Sequence, residues 1–270
     1  NPYRIMLILL VIVVLVAVLR DYASGEIWPP FVPTPTPTRT VNSFITEGET
    51  HFQAGNLAKA IESFNKALVL EPNNTAVRVE LARILTYSSS SLTTDQERRD
   101  ALNQALSVID AAKAAEPTNA DVLAMRAFVL SWLSNPALSG DQSEDYRNQA
   151  EAEALAAIQL DSANALAKAY YAEILIDQYK LVQAQDYIAQ ARSNGEDLMD
   201  VRRIQAYIYE VLGEYNLAIE WYQKAIEVTP NLTFLYIRTG VLYRFLQQYP
   251  IALELFAKAV SLNQQLGIQD

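Results

Sequence analysis

The side chains that most often carry catalysis or bind metals are nearly absent from this sequence. Its 270 residues include no cysteine and a single histidine, His51. A chain without cysteine has neither a thiolate nucleophile nor a cysteine-ligated zinc or iron–sulfur site, and one histidine cannot build a multi-histidine metal site. Asp141, Glu144 and Asp145 form an acidic cluster, but they lack the alternating order of a calcium-binding loop.

No phosphate-binding glycine loop, dinucleotide-binding glycine motif or zinc-protease helix motif occurs in the sequence. We therefore predict no catalytic, cofactor-binding or metal-binding residue and no enzyme activity. We interpret His51 as a packing residue.

The charge of the chain is strongly acidic, with a formal net charge of −10. The first 40 residues carry a net charge of +1, so the remainder carries −11. Phosphates of nucleic acids and anionic lipid headgroups repel such a surface. The composition therefore argues against a nucleic-acid partner.

An uninterrupted apolar segment covers residues 5–19 and is extended by Tyr3 and Tyr22, a residue type that favours the membrane interface. A helix from Tyr3 to Tyr22 rises about 29 Å, enough to cross the hydrocarbon core of a bilayer. We predict a single transmembrane anchor over residues 1–24 that contacts lipid through residues 3–22. A cleaved signal peptide and a buried core helix are the alternatives.

A linker rich in proline and threonine follows over residues 25–40. Residues 28–38 hold five of the eleven prolines, and alternating Pro and Thr favours an extended polyproline conformation. We interpret the linker as a spacer; the alternative is that it docks on a membrane partner. Stalks of this composition are commoner outside the cytoplasm, so we expect the rest of the chain to be extracytoplasmic.

The rest of the chain contains an internal repeat, most clearly in residues 55–73 and 213–231. The matching positions are Gly55 and Gly213, Leu57 and Tyr215, Ala60 and Ala218, Phe64 and Tyr222, Ala67 and Ala225, and Pro72 and Pro230. This pattern resembles the tetratricopeptide repeat family, whose unit is about 34 residues long and forms two antiparallel helices. The resemblance implies an all-α, right-handed superhelical solenoid over residues 41–270.

We predict six repeat units, and two of them are longer than the others. The units are 41–74, 75–119, 120–164, 165–198, 199–232 and 233–270. Polar insertions at about 86–96 and 134–144 lengthen the second and third units between their two helices. We expect both insertions to lie side by side on one edge, and Thr94 with Glu97 predicts a capping box at the start of the following helix.

The resemblance also implies a concave groove that is lined by the first helix of each unit and binds other proteins. The groove candidates are Glu49, Phe52, Arg83, Tyr87, Phe128, Trp132, Tyr170, Glu173, Arg203, Tyr207, Arg238, Val241, Arg244 and Phe245. A second surface is predicted on the outer helices of the last two units, where polar residues give way to apolar ones. Its contact candidates are Leu217, Trp221, Ile251 and Leu255.

The leading functional hypothesis is a single-pass membrane scaffold that binds other proteins, as an accessory or assembly subunit of a membrane protein complex. The first alternative is a pilin-like filament subunit with a hydrophobic N-terminal helix and a repeat head. The acidic residue that such helices usually carry is absent from residues 1–19. The partner could also be a second copy of this chain, which would make a homo-oligomer. After the scaffold and the filament subunit, an enzyme is the third functional class.

Overall fold

The computed structural model describes residues 2–24 and 39–265, and all regular structure in these ranges is helical. The chain divides into two compact units, one ending at Arg39 and one beginning at Thr40. The linker predicted over residues 25–40 lies outside the described residues, except for its last two.

The first unit contains one helix, α1 (Pro2–Ala23), with 22 residues and no buried side chain. Its aliphatic side chains are all exposed. At about 1.5 Å per residue it is long enough to span a bilayer. A helix of this length and composition near the N-terminus fits a membrane span or a signal sequence.

The second unit is a stack of helix pairs. Its helices are α2 (Val41–Gln53), α3 (Leu57–Leu70), α4 (Thr75–Ser89), α5 (Asp95–Ala115), α6 (Ala120–Leu133), α7 (Pro136–Ser139), α8 (Ser143–Leu160), α9 (Ala165–Asp177), α10 (Leu181–Gly195), α11 (Met199–Val211), α12 (Tyr215–Val228), α13 (Thr233–Phe245) and α14 (Tyr249–Gln265). The pairs are α2 with α3, α4 with α5, α6 with α8, α9 with α10, α11 with α12, and α13 with α14. The prediction of an all-α solenoid of helix pairs is confirmed.

Asparagine side chains fix where several first helices begin. Asn74, Asn119 and Asn164 precede α4, α6 and α9, and each side-chain oxygen accepts a hydrogen bond from a backbone N–H of the first turn. These bonds satisfy backbone donors that have no partner inside the helix.

The turns inside four of the pairs share one backbone conformation with positive φ. Gly55 and Gly213 adopt it with φ of 77° and 76°, and Tyr179 and Gln247 adopt it with φ of 57° and 61°. After Tyr179, the N–H of Lys180 donates to the Leu175 carbonyl at 2.9 Å, which closes the end of α9. Glycine adopts this conformation freely, whereas other residues are strained in it.

Small residues let the two helices of a pair approach closely. A Cβ atom at Gly48 would come within 2.7 Å of the Phe64 ring, and one at Gly240 would come equally close to Phe256. Fully buried alanines occupy the corresponding place in the pairs between them. A larger side chain at this position would therefore push the two helices of a pair apart.

The two insertions partly become helix. Thr94 and Glu97 form the predicted capping box, and α5 extends to 21 residues. The second insertion folds into α7 and a 3₁₀ turn over Gly140–Gln142. α7 packs on α5 and buries Leu138, so the second insertion lies against the helix that follows the first insertion.

The stack also closes on itself. Asn231, just before α13, donates a hydrogen bond of 3.2 Å from its side chain to the backbone oxygen of Gln53 at the end of α2. The ring of Tyr87 on α4 stacks on Phe234 of α13 with a centroid distance of 5.1 Å. The first helices therefore converge on the inside of the superhelix and fill much of the expected groove.

Candidate functional site

Closure of the stack buries many of the predicted groove residues. Six of the fourteen candidates are buried: Phe52, Tyr87, Phe128, Tyr170, Glu173 and Arg203. Four are half-buried (Arg83, Trp132, Tyr207 and Val241), and four are exposed (Glu49, Arg238, Arg244 and Phe245). Four of the six, Phe52, Tyr87, Phe128 and Tyr170, are out of reach of a partner that approaches this form of the protein, unless the stack rearranges.

Asp200 is the centre of a buried polar network. Its carboxylate is fully buried and accepts short hydrogen bonds from the Tyr87 hydroxyl and the Arg83 guanidinium, both on α4. The hydroxyl of Tyr170 on α9 donates a third hydrogen bond of 3.1 Å. Asp200, in the first turn of α11, therefore links three first helices that are far apart in the sequence.

A second ion pair adjoins this centre. Arg203 donates two hydrogen bonds, of 2.7 and 2.6 Å, to the Glu173 carboxylate, and both side chains are only 7% exposed. Its Nε donates to the Tyr87 hydroxyl at 3.2 Å. The same guanidinium lies over the rings of Tyr87 and Phe128, with distances to the centroids of 5.7 and 5.6 Å. This parallel two-point contact is the strongest geometry available to an arginine and a carboxylate.

The charges of the network stabilise one another. Burial alone would raise the pKa of Asp200, but the guanidinium groups of Arg83 and Arg203 outweigh burial and hold its pKa below the usual value. Burial raises the pKa of the Tyr87 and Tyr170 hydroxyls well above their ordinary range, so both remain protonated donors. The network is therefore a carboxylate held by two cations and two neutral phenols.

Four aromatic rings run through the same region as a continuous strip. The strip joins Phe234 to Tyr87, Tyr87 to Phe128 and Phe128 to Tyr170, with centroid distances of 5.1, 5.4 and 4.4 Å. Trp132 packs edge-on against Tyr87 at 5.9 Å. Such contacts contribute beyond the apolar area they bury.

A pocket of about 740 Å³ opens beside the network, at the edge that carries the insertions. One wall comes from the inserted segment around Pro136 and Leu138, and the other from the C-terminal parts of the first helices. Five of the predicted groove residues line it: Trp132, Glu173, Arg203, Tyr207 and Arg238. Part of the predicted groove and the insertions thus line one pocket.

The charged side chains that line this pocket differ in whether they have an ion-pair or hydrogen-bond partner. Arg238 donates to Glu210 at 2.8 Å, whereas Arg147 forms no hydrogen bond and no close ion pair with any residue that the structure describes. The Asp177 carboxylate accepts a hydrogen bond of 2.8 Å from the Tyr207 hydroxyl. Burial at the pocket wall, reinforced by the nearby Glu173, raises the pKa of Asp177 to about 6, although the residue as a whole stays exposed.

Several of these residues were not among the sequence-based candidates. Asp200 in the first turn of a helix looks like an ordinary helix-dipole charge, and Arg147 and Asp177 look like surface charges. The only local signal was the spacing of Asp200 and Arg203, which places both on one side of α11. Their partners lie up to 117 residues away.

The predicted outer contact surface is smaller in the structure, because not all four of its residues are exposed. Leu217 and Ile251 are each 40% exposed, and Leu255 is half-buried. Trp221 is instead only 6% exposed, because Arg192 and Lys224 cover its ring at 4.4 and 4.1 Å from the centroid. In this form Trp221 therefore offers a partner little surface, and the contact role of this outer face stays a prediction.

Within residues 2–24 and 39–265, no group of three or more acidic or histidine side chains is placed to hold a metal ion. His51 is half-buried near the end of α2.

Two segments match models of the tetratricopeptide repeat family, residues 41–74 and 204–232. They correspond to the first unit and to most of the fifth. No curated protein matches the sequence.

Solved structures share the fold at low sequence identity. A thermophilic tetratricopeptide repeat protein of Thermus thermophilus, TTC0263, is 20% identical and has a TM-score of 0.58, over 75% of this chain and 98% of that chain. A chain of the Cut9–Hcn1 hetero-tetramer of the APC/C is 13% identical with a TM-score of 0.51, over 83% of this chain and 46% of that chain. These likenesses bear on the helical-pair architecture alone. Neither they nor the structure supports the filament alternative.

Proposed function

We propose that the chain, two segments of which match models of the tetratricopeptide repeat family, is a membrane-anchored interaction scaffold. In this proposal α1 is a single membrane span, and the repeat stack on the extracytoplasmic side binds protein partners. The scaffold serves as an accessory or assembly subunit of a larger membrane complex.

The observation that carries the proposal is the combination of α1 with the pocket. The apolar surface of α1 is exposed along its full length, and Tyr3 and Tyr22 near its ends suit the two headgroup regions. The pocket joins aromatic rings to guanidinium groups, the side-chain types that dominate binding energy at protein interfaces. Trp132, Tyr207 and Arg147 would be the principal contacts.

Anchoring and topology are tested together by cysteine labelling, since the native chain has no cysteine. A single cysteine at the 79% exposed Val69 of the repeat stack should react with a membrane-impermeant maleimide on intact cells. A cysteine at Ala17 inside α1 is the control and should stay unreactive until the membrane is dissolved. Release of the protein by alkaline carbonate, or labelling of Val69→Cys only after lysis, would contradict the anchor or the topology respectively.

The complex is tested by crosslinking native membranes before extraction in mild detergent. Peptides of the repeat stack should crosslink to the same partner proteins in repeated preparations, and these partners should co-purify at a fixed ratio. Recovery of the protein only as a monomer would contradict the subunit role and leave the anchor unaffected.

A further inference from the structure

The closure of the repeat stack depends on contacts between units that are not neighbours in the sequence. Arg83 and Tyr87 of the second unit bind Asp200 of the fifth, and Tyr87 also stacks on Phe234 of the sixth. Each helix pair has its own packed interior, with buried alanines at the crossing. The helix pairs can therefore remain folded if the closing contacts break.

The closing contacts are polar and incompletely satisfied. The buried Nε of Arg83 has no hydrogen-bond partner among the described residues. Removing two charges from water carries a desolvation cost that can exceed their mutual attraction. A contact of this kind fixes a defined geometry but adds little net stability. The closed stack and an open stack would therefore differ little in free energy.

The closed form also hides the best binding surface of the stack. The aromatic strip of Phe234, Tyr87, Phe128 and Tyr170 lies along the predicted groove, and its last three rings are at most 1% exposed. The adjoining pocket reaches the network, since Glu173 and Arg203 belong to both. Separation of α4 from α11 would extend the pocket into a groove with this strip as its floor.

We propose that the contact of Arg83 and Tyr87 with Asp200 is an autoinhibitory latch. When it is closed, Tyr87, Phe128 and Tyr170 of the aromatic strip are inaccessible. When it opens, the strip becomes available to apolar side chains of a protein partner. The latch proposal rests on the proposed scaffold function in one respect: it assumes that a protein partner binds the opened groove. Opening itself can be measured without any partner, so the two proposals can fail separately.

Two glycines provide a matched pair of variants for forcing the stack open. Gly55 and Gly213 have almost the same φ, so alanine at either position introduces the same backbone strain. A Cβ atom at Gly55 would overlap the carbonyl of Asn231 on the far side of the closure, whereas a Cβ atom at Gly213 would meet nothing within 4 Å. Gly55→Ala is thus an opening variant and Gly213→Ala is its control.

The experiment measures energy transfer between dyes on the first and sixth units of the full chain in lipid nanodiscs. The exposed residues Asn65 on α3 and Lys258 on α14 are replaced by cysteines, the only ones in the protein. Gly55→Ala should lower the transfer efficiency, and Gly213→Ala should keep the parental value. Asp200→Asn, which removes the latch charge with little change of shape, should lower the efficiency as Gly55→Ala does.

Parental efficiency in a folded Asp200→Asn variant would overturn the latch, as would an equal loss in Gly213→Ala. If Asp200→Asn loses its helical circular dichroism, Tyr87→Phe decides, because it removes only the hydroxyl that donates to Asp200. An efficiency between the closed and open values supports the latch in that case, and the parental value refutes it. Faster hydrogen exchange of α4 and α11, with unchanged exchange in α3, should accompany opening.

Discussion

Tyr207 on α11 donates a hydrogen bond of 2.8 Å to the Asp177 carboxylate at the end of α9. Burial and the negative charge of Glu173 nevertheless raise the pKa of Asp177 from its ordinary 3.8 to about 6. The fold thus favours the protonated carboxyl group. Its stabilising contribution is fully present below pH 3.8 and is lost as the pH rises through 6.

We therefore expect Asp177→Asn to be more stable than the parent at pH 7. The gain should be about 1 kcal/mol, less than the full pKa shift implies, because the residue is partly exposed and solvent screens its charge. Urea unfolding at pH 5 and pH 8 measures it, with the exposed Asp186→Asn as the control. An unchanged pH dependence in Asp177→Asn would show that this carboxylate is not the responsible group.

Removing one partner of the buried Arg203–Glu173 pair should lower the free energy of unfolding strongly, whereas replacing both partners by apolar side chains should lower it less. Arg203→Ala leaves the Glu173 carboxylate buried without its partner, so we expect a loss of about 3–5 kcal/mol in the free energy of unfolding. The double variant Arg203→Met with Glu173→Leu should lose less than Arg203→Ala alone. Lys66→Ala, which breaks an exposed pair with Glu62, is the control and should lower the stability far less than Arg203→Ala does.

The comparison of the double variant with Arg203→Ala shows whether apolar side chains can replace the ion pair. If the double variant is less stable than Arg203→Ala, the pair contributes more than well-packed apolar side chains can replace. That outcome would contradict our interpretation of the network as a geometric constraint.

The strained turns at Tyr179 and Gln247 offer a test that separates stability from binding. Both residues hold a positive φ where Gly55 and Gly213 stand in other units, so glycine at either position should stabilise the fold by about 1 kcal/mol. Tyr179 lines the pocket and is 81% exposed, whereas Gln247 lies outside the pocket. Tyr179→Gly should therefore weaken partner recovery from crosslinked membranes, and Gln247→Gly should not.

Equal partner recovery in both glycine variants would remove Tyr179 from the binding surface. Destabilisation by Gln247→Gly would show that its positive φ carries no strain.

The repeat periodicity predicted the helical pairs because the determinants of each pair are local. Gly48 and Ala60 must be small for one crossing, and the capping box at Thr94 needs only residues three apart. Asparagine caps and glycine turns act over the same short range. Such features repeat with the unit and are therefore visible in a single sequence.

The state of the groove was not predictable in the same way. Whether Tyr87 and Tyr170 face solvent depends on how strongly the superhelix curves, which sums small rotations over several units. Their common partner Asp200 has no local pattern that distinguishes it from a surface charge. The candidate residues lie on the first helices, but six of them are buried in the assembled stack.

Partners could bind the edge pocket or the part of the groove outside this pocket, the outer groove. The two possibilities predict different effects for two arginine variants. Arg147 lines the pocket without a close partner, whereas Arg244 is exposed outside it, beside the Phe245 ring at 5.6 Å. If partners bind the pocket, Arg147→Glu should reduce their recovery at least about fivefold, the effect of losing one strong contact. Arg244→Glu introduces the same charge change and should leave recovery within about twofold of the parent.

Crosslinking followed by quantitative mass spectrometry measures both variants. Loss in Arg244→Glu with normal recovery in Arg147→Glu would place the binding surface in the outer groove. Because neither arginine joins the Asp200 network, neither variant should change the energy transfer that reports closure, so the effect on recovery would reflect the contact itself.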